Sequence, residues 1–205
     1  GKSTLVSLIP RFYDVQSGQI LVDGVDTRDM TQKDLRSRIG FVPQKAVLFT
    51  GTVAENIRYG KDDASDDEVR HAALVSQSLD FVSEMEQGFD SLISQGGTNV
   101  SGGQKQRLSI ARALVKKPEI YVFDDSFSAL DFKTDSLLRA ALHKETADAT
   151  VIIVGQRVAT IMNADRIIVL DEGRIAGMGT HHELYAGCPV YREIVESQLS
   201  LEEIA

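Results

Sequence analysis

The sequence lacks tryptophan, has a single cysteine and contains only 4 prolines among its 205 residues. One cysteine, Cys188, permits no internal disulfide, which argues against a disulfide-stapled secreted domain and suits a reducing compartment. Long apolar runs are missing too, because stretches such as Val151–Val154 and Ile167–Leu170 fall far below the roughly 20 residues of a membrane-spanning helix. Neither a secretory signal pattern nor a cysteine–histidine cluster with metal-ligand spacing is found. These absences predict an ordinary globular domain.

Basic residues are scarce relative to acidic ones: 22 Lys and Arg against 30 Asp and Glu give a formal net charge of −8. Proteins that bind nucleic acid broadly present a basic face, so this balance predicts no nucleic-acid partner. With 42% hydrophobic and 25% charged residues, the chain can form one sizeable core. Disorder and collagen-like repeats are excluded.

Apolar periodicity predicts helices and strands in the first part of the chain. A helix is expected over about Ser3–Tyr13 and a short strand at Gln19–Val22. Thr31 marks the start of another helix, and Ile39–Pro43 has the composition of a buried strand that ends at Gln44. Gln44 is therefore a candidate ligand residue at a strand end.

The middle of the chain changes to helices, from Thr52 to about Lys117. Two capping boxes, Thr52 with Glu55 and Ser65 with Glu68, begin helices there. A further helix is expected from Ser101 until shortly before Pro118. This stretch predicts an inserted helical subdomain.

Apolar runs rich in β-branched residues follow, separated by segments of helix length. The runs are Ile120–Phe123, Val151–Val154 and Ile167–Leu170, with helices expected at Phe132–Ala147 and Arg157–Asn163. Continuous apolarity means that both faces of a strand are covered, which is typical of a parallel α/β sheet. A returning strand at Arg174–Met178 and a helix capped by Thr180 and Glu183 precede a charged C-terminal tail.

The first residues, Gly1-Lys2-Ser3, match the last fixed positions of the phosphate-binding loop G-x-x-x-x-G-K-[ST]. In such a loop the lysine reaches the β- and γ-phosphates, and the hydroxyl, here that of Ser3, ligates Mg²⁺. A glycine-capped helix is the alternative. Because the chain opens inside this motif, we expect it to be a fragment that is truncated at its N-terminus.

Two further segments carry polar groups at the ends of elements. The strand Ile120–Phe123 leads into Asp124 and Asp125, where an open α/β sheet holds its ligand groups. Mg²⁺ would balance the charge of Asp124, and Asp125 would face the water that attacks the γ-phosphate. The alternative is that both acids open a turn. The segment Ser101-Gly102-Gly103-Gln104 puts a hydroxyl and two glycines at a helix N-terminus, which suits an anion, whereas a plain cap explains Ser101 alone.

In this order, the motifs resemble those of the nucleotide-binding domain of an ATP-binding cassette (ABC) transporter, over nearly the whole chain. The resemblance implies an α/β fold with a P-loop NTPase (RecA-like) core, a mostly parallel sheet and an inserted helical subdomain. It implies ATP and Mg²⁺ as cofactors, with the metal held through the nucleotide. The matching residues are Gly1, Lys2, Ser3 and Thr4 (Walker A), Gln44 (Q-loop), Ser101, Gly102, Gly103 and Gln104 (signature), Asp124 (Walker B) and Asp131 (D-loop), of which Ser3, Gln44 and Asp124 would contact Mg²⁺.

The resemblance also implies a domain plan and partners. Residues 1–205 form one domain, with 1–44 and 118–180 as the RecA-like core, 45–117 as the Q-loop and helical signature subdomain, and 181–205 as a C-terminal helical tail. Thr52–Ile57 and Gly179–Leu184 resemble the exporter branch, which moves lipids, peptides or drugs out of cells. In the family, two cassettes dimerise head to tail, so each ATP lies between the Walker motifs of one and the signature of the other. The implied partners are a second cassette and transmembrane domains, at the cytoplasmic face of the cell membrane.

Three positions depart from the family pattern. Asp125 stands where the family has its catalytic glutamate, Gln156 where it has a histidine near the γ-phosphate, and Gln95 where exporters have a glutamate before the signature. The shorter acid retracts the carboxylate by roughly 1 Å, which can cost on the order of 100-fold in rate. We therefore expect Asp125, Gln156 and Gln44 to form a degenerate, slowly hydrolysing catalytic site. The chain would then be one half of a heterodimeric multidrug-type exporter, with its signature completing the competent site of the partner.

Two other functions stay open at this point. One is a soluble ATPase of the same superfamily that acts on DNA or ribosomes. The DNA-repair relatives, however, place a very long coiled coil between the phosphate loop and the signature, and only 100 residues separate Gly1 from Ser101. The other is a nucleotide-binding regulatory half that holds ATP without turnover.

Overall fold

Residues 1–199 are described by the computed structural model. The helices are α1 Lys2–Ser7, α2 Gln32–Ser37, α3 Val53–Arg58, α4 Asp66–Val75, α5 Leu79–Glu84, α6 Gly102–Val115, α7 Phe132–Glu145, α8 Val158–Ile161, α9 His181–Gly187 and α10 Pro189–Gln198. The strands are β1 Leu21–Val22, β2 Val25–Asp26, β3 Ile39–Val42, β4 Gly51–Thr52, β5 Leu92–Ile93, β6 Ile120–Asp124, β7 Thr150–Val154, β8 Ile167–Asp171 and β9 Arg174–Gly179. Within residues 1–199, no helix is both long enough and apolar enough to cross a bilayer.

A parallel sheet with strand order β3-β6-β7 lies at the centre of the described chain. Val42 at the end of β3 pairs with Phe123, and Asp124 at the end of β6 pairs with Val154. The carboxyl ends of the three strands therefore meet at one edge. The parallel arrangement predicted for Ile120–Phe123 and Val151–Val154 is confirmed, and β3, predicted only as a buried strand, joins them, so the polar residues that follow the three strands share that edge.

The third of the predicted runs, Ile167–Leu170, is not a parallel strand as predicted but one arm of an antiparallel hairpin, β8 with β9. Ile167 and Val169 are buried, whereas Ile168 between them is 49% exposed. A tight turn with Glu172 at a positive φ of 45° returns the chain directly, so no crossover helix covers the second face. The prediction is wrong there because an apolar run does not by itself establish that both faces are covered.

Two helices are shorter than their predicted spans. α1 ends at Ser7 rather than near Tyr13, since Pro10 has no N–H to continue the helix and Arg11 takes a positive φ of 56°. α8 occupies only Val158–Ile161. By contrast, α6 and α7 fill nearly all of their predicted spans.

Reciprocal side-chain caps begin several helices of the described chain. The predicted capping boxes at Thr52, Ser65 and Thr180 are confirmed. Ser101 forms another with Gln104 at the start of α6. In each box the hydroxyl accepts a hydrogen bond from a first-turn amide, and the glutamate or glutamine accepts one from the backbone of the capping residue.

Two buried clusters fix the elements around the sheet edge. The larger joins α3 and α6 to β6 through side chains that include Ile57, Leu108 and Phe123. A C-terminal cluster holds Val195 of α10 together with Val158 of α8. The C-terminal helix is therefore anchored beside the segment that follows β7.

Candidate functional site

Three polar side chains meet at the carboxyl edge of the sheet, around the carboxylate of Asp125. The side-chain amides of Gln44 and Gln156 each donate a hydrogen bond to Oδ2 of Asp125, both at 3.0 Å. Gln44 follows β3, Asp125 follows β6 and Gln156 follows β7, so the parallel register brings them together. The three residues predicted to be catalytic thus share one site.

The backbone of Asp125 is held in the left-handed conformation, with φ 47°. Its N–H donates to the carbonyl of Val154 at 2.9 Å, and its own carbonyl accepts from the hydroxyl of Ser128 at 2.9 Å. Residues other than glycine, asparagine and aspartate rarely adopt such a φ. Contacts on both sides of the peptide therefore hold the turn that carries this carboxylate.

The end of the predicted phosphate loop meets the neighbouring acid. Ser3 donates from its hydroxyl to Oδ1 of Asp124 at 2.9 Å, across 121 residues of sequence. Asp124 is only 6% exposed, so the hydroxyl supplies a donor that a buried carboxylate needs. The hydroxyl and the carboxylate that meet here are hard oxygen ligands, of the kind that Mg²⁺ prefers.

The other phosphate-loop residues lie at the start of α1. Gly1 is the N-cap and makes no side-chain hydrogen bond, while Lys2 and Thr4 are exposed. Both side chains are accessible to a ligand that approaches the first turn. Among residues 1–199, no three His, Cys, Asp or Glu side chains are grouped so as to hold a metal ion by themselves.

The segment Ser101–Gln104 begins α6. Oγ of Ser101 accepts from the N–H of Gln104 at 3.2 Å, and Oε1 of Gln104 accepts from the N–H of Ser101 at 2.8 Å. A Cβ added to Gly103 would lie 3.2 Å from the carbonyl oxygen of Ala129, whereas one added to Gly102 would meet nothing within 4 Å. The fold accounts for Ser101, Gln104 and Gly103, but nothing in the described chain requires a glycine at 102.

Asp131, the predicted D-loop residue, caps α7. Its Oδ1 accepts from the N–H of Thr134 at 2.9 Å, and the backbone and side-chain hydrogen bonds from Thr134 lower the pKa of Asp131. Arg107 on α6 has its pKa lowered by burial, an effect that the charge of Asp131 opposes. The two charges therefore interact between α6 and the start of α7.

A cleft of about 360 Å³ opens beside the sheet edge, lined by residues that include Asp125, Gln156, Arg157 and Gln198. Gln198 comes from α10, in a region for which the sequence predicted only a helical tail. An isolated glutamine on a charged helix carries no motif, so no sequence signal could have identified it.

Comparison with known proteins identifies one family. Residues 1–128 match the family described as ABC transporter. Over 201 residues the chain is 50% identical to an uncharacterised ABC transporter ATP-binding protein of Mycobacterium bovis, a match covering 97% of this chain and 34% of that protein. Over 198 residues it is 46% identical to a Staphylococcus aureus protein provisionally named a multidrug export ATP-binding/permease protein, covering 97% and 34%.

Among solved structures, a bacterial Atm1-family ABC exporter with ATP bound matches with a TM-score of 0.94 and 42% identity. The match covers 98% of this chain and 35% of that chain. This chain therefore spans about a third of the length of the proteins that it matches.

Proposed function

The chain belongs to the ABC transporter family and has its P-loop NTPase fold, and from this premise we propose that it is the ATP-hydrolysing, energy-coupling domain of a membrane exporter. The hydrogen bond from Ser3 to Asp124 carries the proposal, since it joins two residues suited to hold nucleotide-bound Mg²⁺. Lys2 would contact the phosphates, and Gln44 would complete the oxygen ligands. ATP binding would close a pair of such domains and hydrolysis would reopen it, which moves the attached membrane helices.

The site built on this chain's own Walker residues is degenerate in our proposal. A general base must be free to accept the proton of the attacking water. Oδ2 of Asp125 accepts two amide hydrogen bonds, from Gln44 and Gln156, so Oδ1 is the oxygen left to accept that proton. An amide can donate to phosphate, but it cannot become cationic or exchange a proton as imidazole does. The site would then contribute mainly binding free energy that keeps the dimer closed.

The start of α6 would serve the ATP of a partner cassette. Oγ of Ser101 uses a lone pair as the helix cap, so its O–H is left to donate to a phosphate. The open space at Gly102 lets that phosphate approach the first turn closely. We expect the partner to carry a glutamate and a histidine where this chain has Asp125 and Gln156, because a homodimer would hold two impaired sites.

A groove between β3 and α6, of about 210 Å³, is suited to the membrane part of the transporter. Val47 and Tyr59 at this groove, and Phe49 beside it, are 56%, 65% and 42% exposed. Arg112 stabilises this surface by stacking on Phe49 and Tyr59, at 5.1 and 5.6 Å from the ring centres. The occupant we propose is a cytoplasmic loop of transmembrane domains in the same protein, because about two thirds of the ATP-binding/permease relative lies outside the match.

The remaining assignments follow from this role. We assign residues 1–44 and 118–180 to the RecA-like core, 45–117 to the Q-loop and helical signature subdomain, and the domain to the cytoplasmic face of the cell membrane. We assign residues 181–205 to the C-terminal tail, of which 200–205 lie outside the described residues. A soluble ATPase acting on DNA or ribosomes is less well supported, since the relatives described above are transporter proteins.

The test is ATP hydrolysis by the complete protein, including whatever precedes Gly1, first alone and then co-expressed with the neighbouring half-transporter. We expect turnover only in the pair, because the competent site combines this chain's signature with the partner's Walker residues. Equal turnover by the protein alone would mean that Asp125 and Gln156 suffice for hydrolysis, and the degenerate site would be wrong. No hydrolysis in either case would overturn the proposed ATPase activity itself.

A further inference from the structure

One side chain of the C-terminal helix α10 makes two hydrogen bonds to the backbone of the segment that carries Gln156. Nε2 of Gln198 donates to the carbonyl oxygen of Gln156 at 2.8 Å, and Oε1 of the same amide accepts from the N–H of Val158 at 2.9 Å. The two contacts flank Arg157 and span 42 and 40 residues of sequence. A single amide therefore fixes the peptides on both sides of one residue.

The segment at the start of α8 needs a hydrogen-bond partner from elsewhere in the chain. α8 has only four residues, and its N-cap, Arg157, supplies no side-chain hydrogen bond to the first turn. The first amides of a helix have no partner within it, so a cap must come from elsewhere. Gln198 supplies that cap, and Val195, buried one turn earlier on α10, anchors the helix that presents it.

Gln156 connects these two hydrogen bonds to Asp125 at the carboxyl edge of the sheet. The backbone of Gln156 is held by Gln198, while its side chain donates to Oδ2 of Asp125 at 3.0 Å. All three residues line the same cleft. A displacement of α10 would therefore release the peptide that aims Gln156 at Asp125.

We propose that Gln198 is a positioning residue for Gln156, so that the C-terminal helix sets how this chain's Walker site holds ATP. The inference rests on the proposed function of that site. Gln198 contacts neither nucleotide nor metal in this scheme; it acts through the carbonyl of Gln156. Gln198 therefore affects how long ATP is retained at this site, because the side-chain amide of Gln156 would donate a hydrogen bond near the γ-phosphate.

Two variants separate the hydrogen bond that Gln198 donates to Gln156 from the one that it accepts from Val158. Gln198→Met removes both hydrogen bonds at similar size. Gln198→Glu keeps an acceptor for the N–H of Val158, but sets a carboxylate against the carbonyl of Gln156. If Gln198 only capped α8, Gln198→Glu would behave as the unmodified protein. Ser197→Ala is the matched control on the same helix, because the Ser197 hydroxyl bonds only within α10, to the carbonyl of Ile194.

The experiment measures the release of the fluorescent nucleotide mant-ATP from the complete protein paired with its partner, whose own Walker lysine is replaced so that only this site binds. We expect Gln198→Met and Gln198→Glu to speed release by about 3- to 10-fold, which corresponds to the loss of the one hydrogen bond that Gln156 would make to the nucleotide. Ser197→Ala should leave release unchanged. In a Gln156→Ala background, Gln198→Met should add nothing, since the side chain that it positions is gone. Unchanged release in both Gln198 variants, or equal acceleration in the Gln156→Ala background, would overturn the proposal.

Hydrogen exchange of residues 155–161 without nucleotide separates this proposal from the proposed function. We expect faster exchange in both Gln198 variants, most in Gln198→Met. If the unmodified protein binds no mant-ATP but exchange still rises in the Gln198 variants, the proposed nucleotide function is wrong, while the stabilisation of the Gln156 segment by Gln198 is supported. If mant-ATP binds but exchange is unchanged, the positioning role fails alone.

Discussion

At the scale of single residues, Asp125 is the most informative position, because its carboxylate accepts two amide donors instead of standing next to an imidazole. We predict that the double change Asp125→Glu with Gln156→His raises the turnover of this chain's site by about 10- to 100-fold. The longer acid restores roughly 1 Å of reach, and the histidine restores a group that can exchange a proton. The measurement is phosphate release by the complete protein without its partner.

Gln156→His alone is the control for that double change. A histidine without the longer acid leaves the carboxylate retracted, so its gain should stay well below that of the pair. Thermal unfolding must accompany the assay, since glutamate tolerates the φ of 47° at this position less well than aspartate does. Unchanged turnover in a stable double variant would show that another defect limits the site.

At the scale of elements, the caps of α4 and α6 allow a structural role to be separated from a functional one. Ser65 and Ser101 form the same capping box at the starts of these two helices. Replacing either serine by alanine should destabilise the protein by about 1 kcal/mol, seen as a small fall in its unfolding temperature. Only Ser101→Ala should also lower ATP turnover of the pair, by about tenfold or more, because it removes the O–H that we propose as a donor to the partner's phosphate. Equal turnover in the two variants would reduce Ser101 to a helix cap.

The C-terminal helices carry a second prediction at this scale, on pH. His181 is buried at the start of α9, with its Nδ1 2.9 Å from the hydroxyl of Tyr191. Burial, and then the charge of His182, lower the pKa of His181 below its ordinary value of 6.5. The unfolded chain therefore binds the proton more tightly, so this contribution to stability is present above about pH 6.5 and is lost as pH falls through the lowered pKa.

Thermal unfolding of the complete protein between pH 8 and 5 tests the sign. We expect His181→Gln to lose less stability on acidification than the unmodified protein, because an amide can bond Tyr191 without titrating. His182→Gln, on the exposed neighbour, should keep most of the dependence. A steeper loss in His181→Gln would contradict the lowered pKa.

The sequence predicted the site better than it predicted the elements around it. Gln44 and Asp125 were predictable from the strand ends that they follow, and Gln156 through the family resemblance. The hairpin at Ile167–Leu170 was not, because an apolar run does not reveal which strand it pairs with. Gln198 was beyond reach as well, since its two contacts depend on how α10 packs, 40 and 42 residues away in sequence.

At the scale of the whole molecule, the asymmetry that we propose between the two nucleotide sites would make the phosphate loop and the signature of this chain unequal in their effect on turnover. In that proposal, a residue of the signature would act on the partner's competent site, whereas a residue of the phosphate loop would act on the degenerate one. Gly102 is the sharpest probe of the first, because a side chain there meets nothing in its own chain within 4 Å. Lys2 probes the second.

We predict that Gly102→Asp lowers ATP turnover of the pair by on the order of 100-fold, through repulsion of the partner's phosphates. The same carboxylate stabilises the N-terminus of α6, so the unfolding temperature should not fall. Lys2→Ala should lower turnover by less than about tenfold, since it weakens only the binding contribution of the degenerate site. Gly102→Ala is the matched control: its uncharged methyl group hinders the close approach of the phosphate without repelling it, so turnover should fall much less than in Gly102→Asp. Equal losses in Gly102→Asp and Lys2→Ala would mean that both sites turn over alike, because a symmetric dimer needs every phosphate loop and every signature equally.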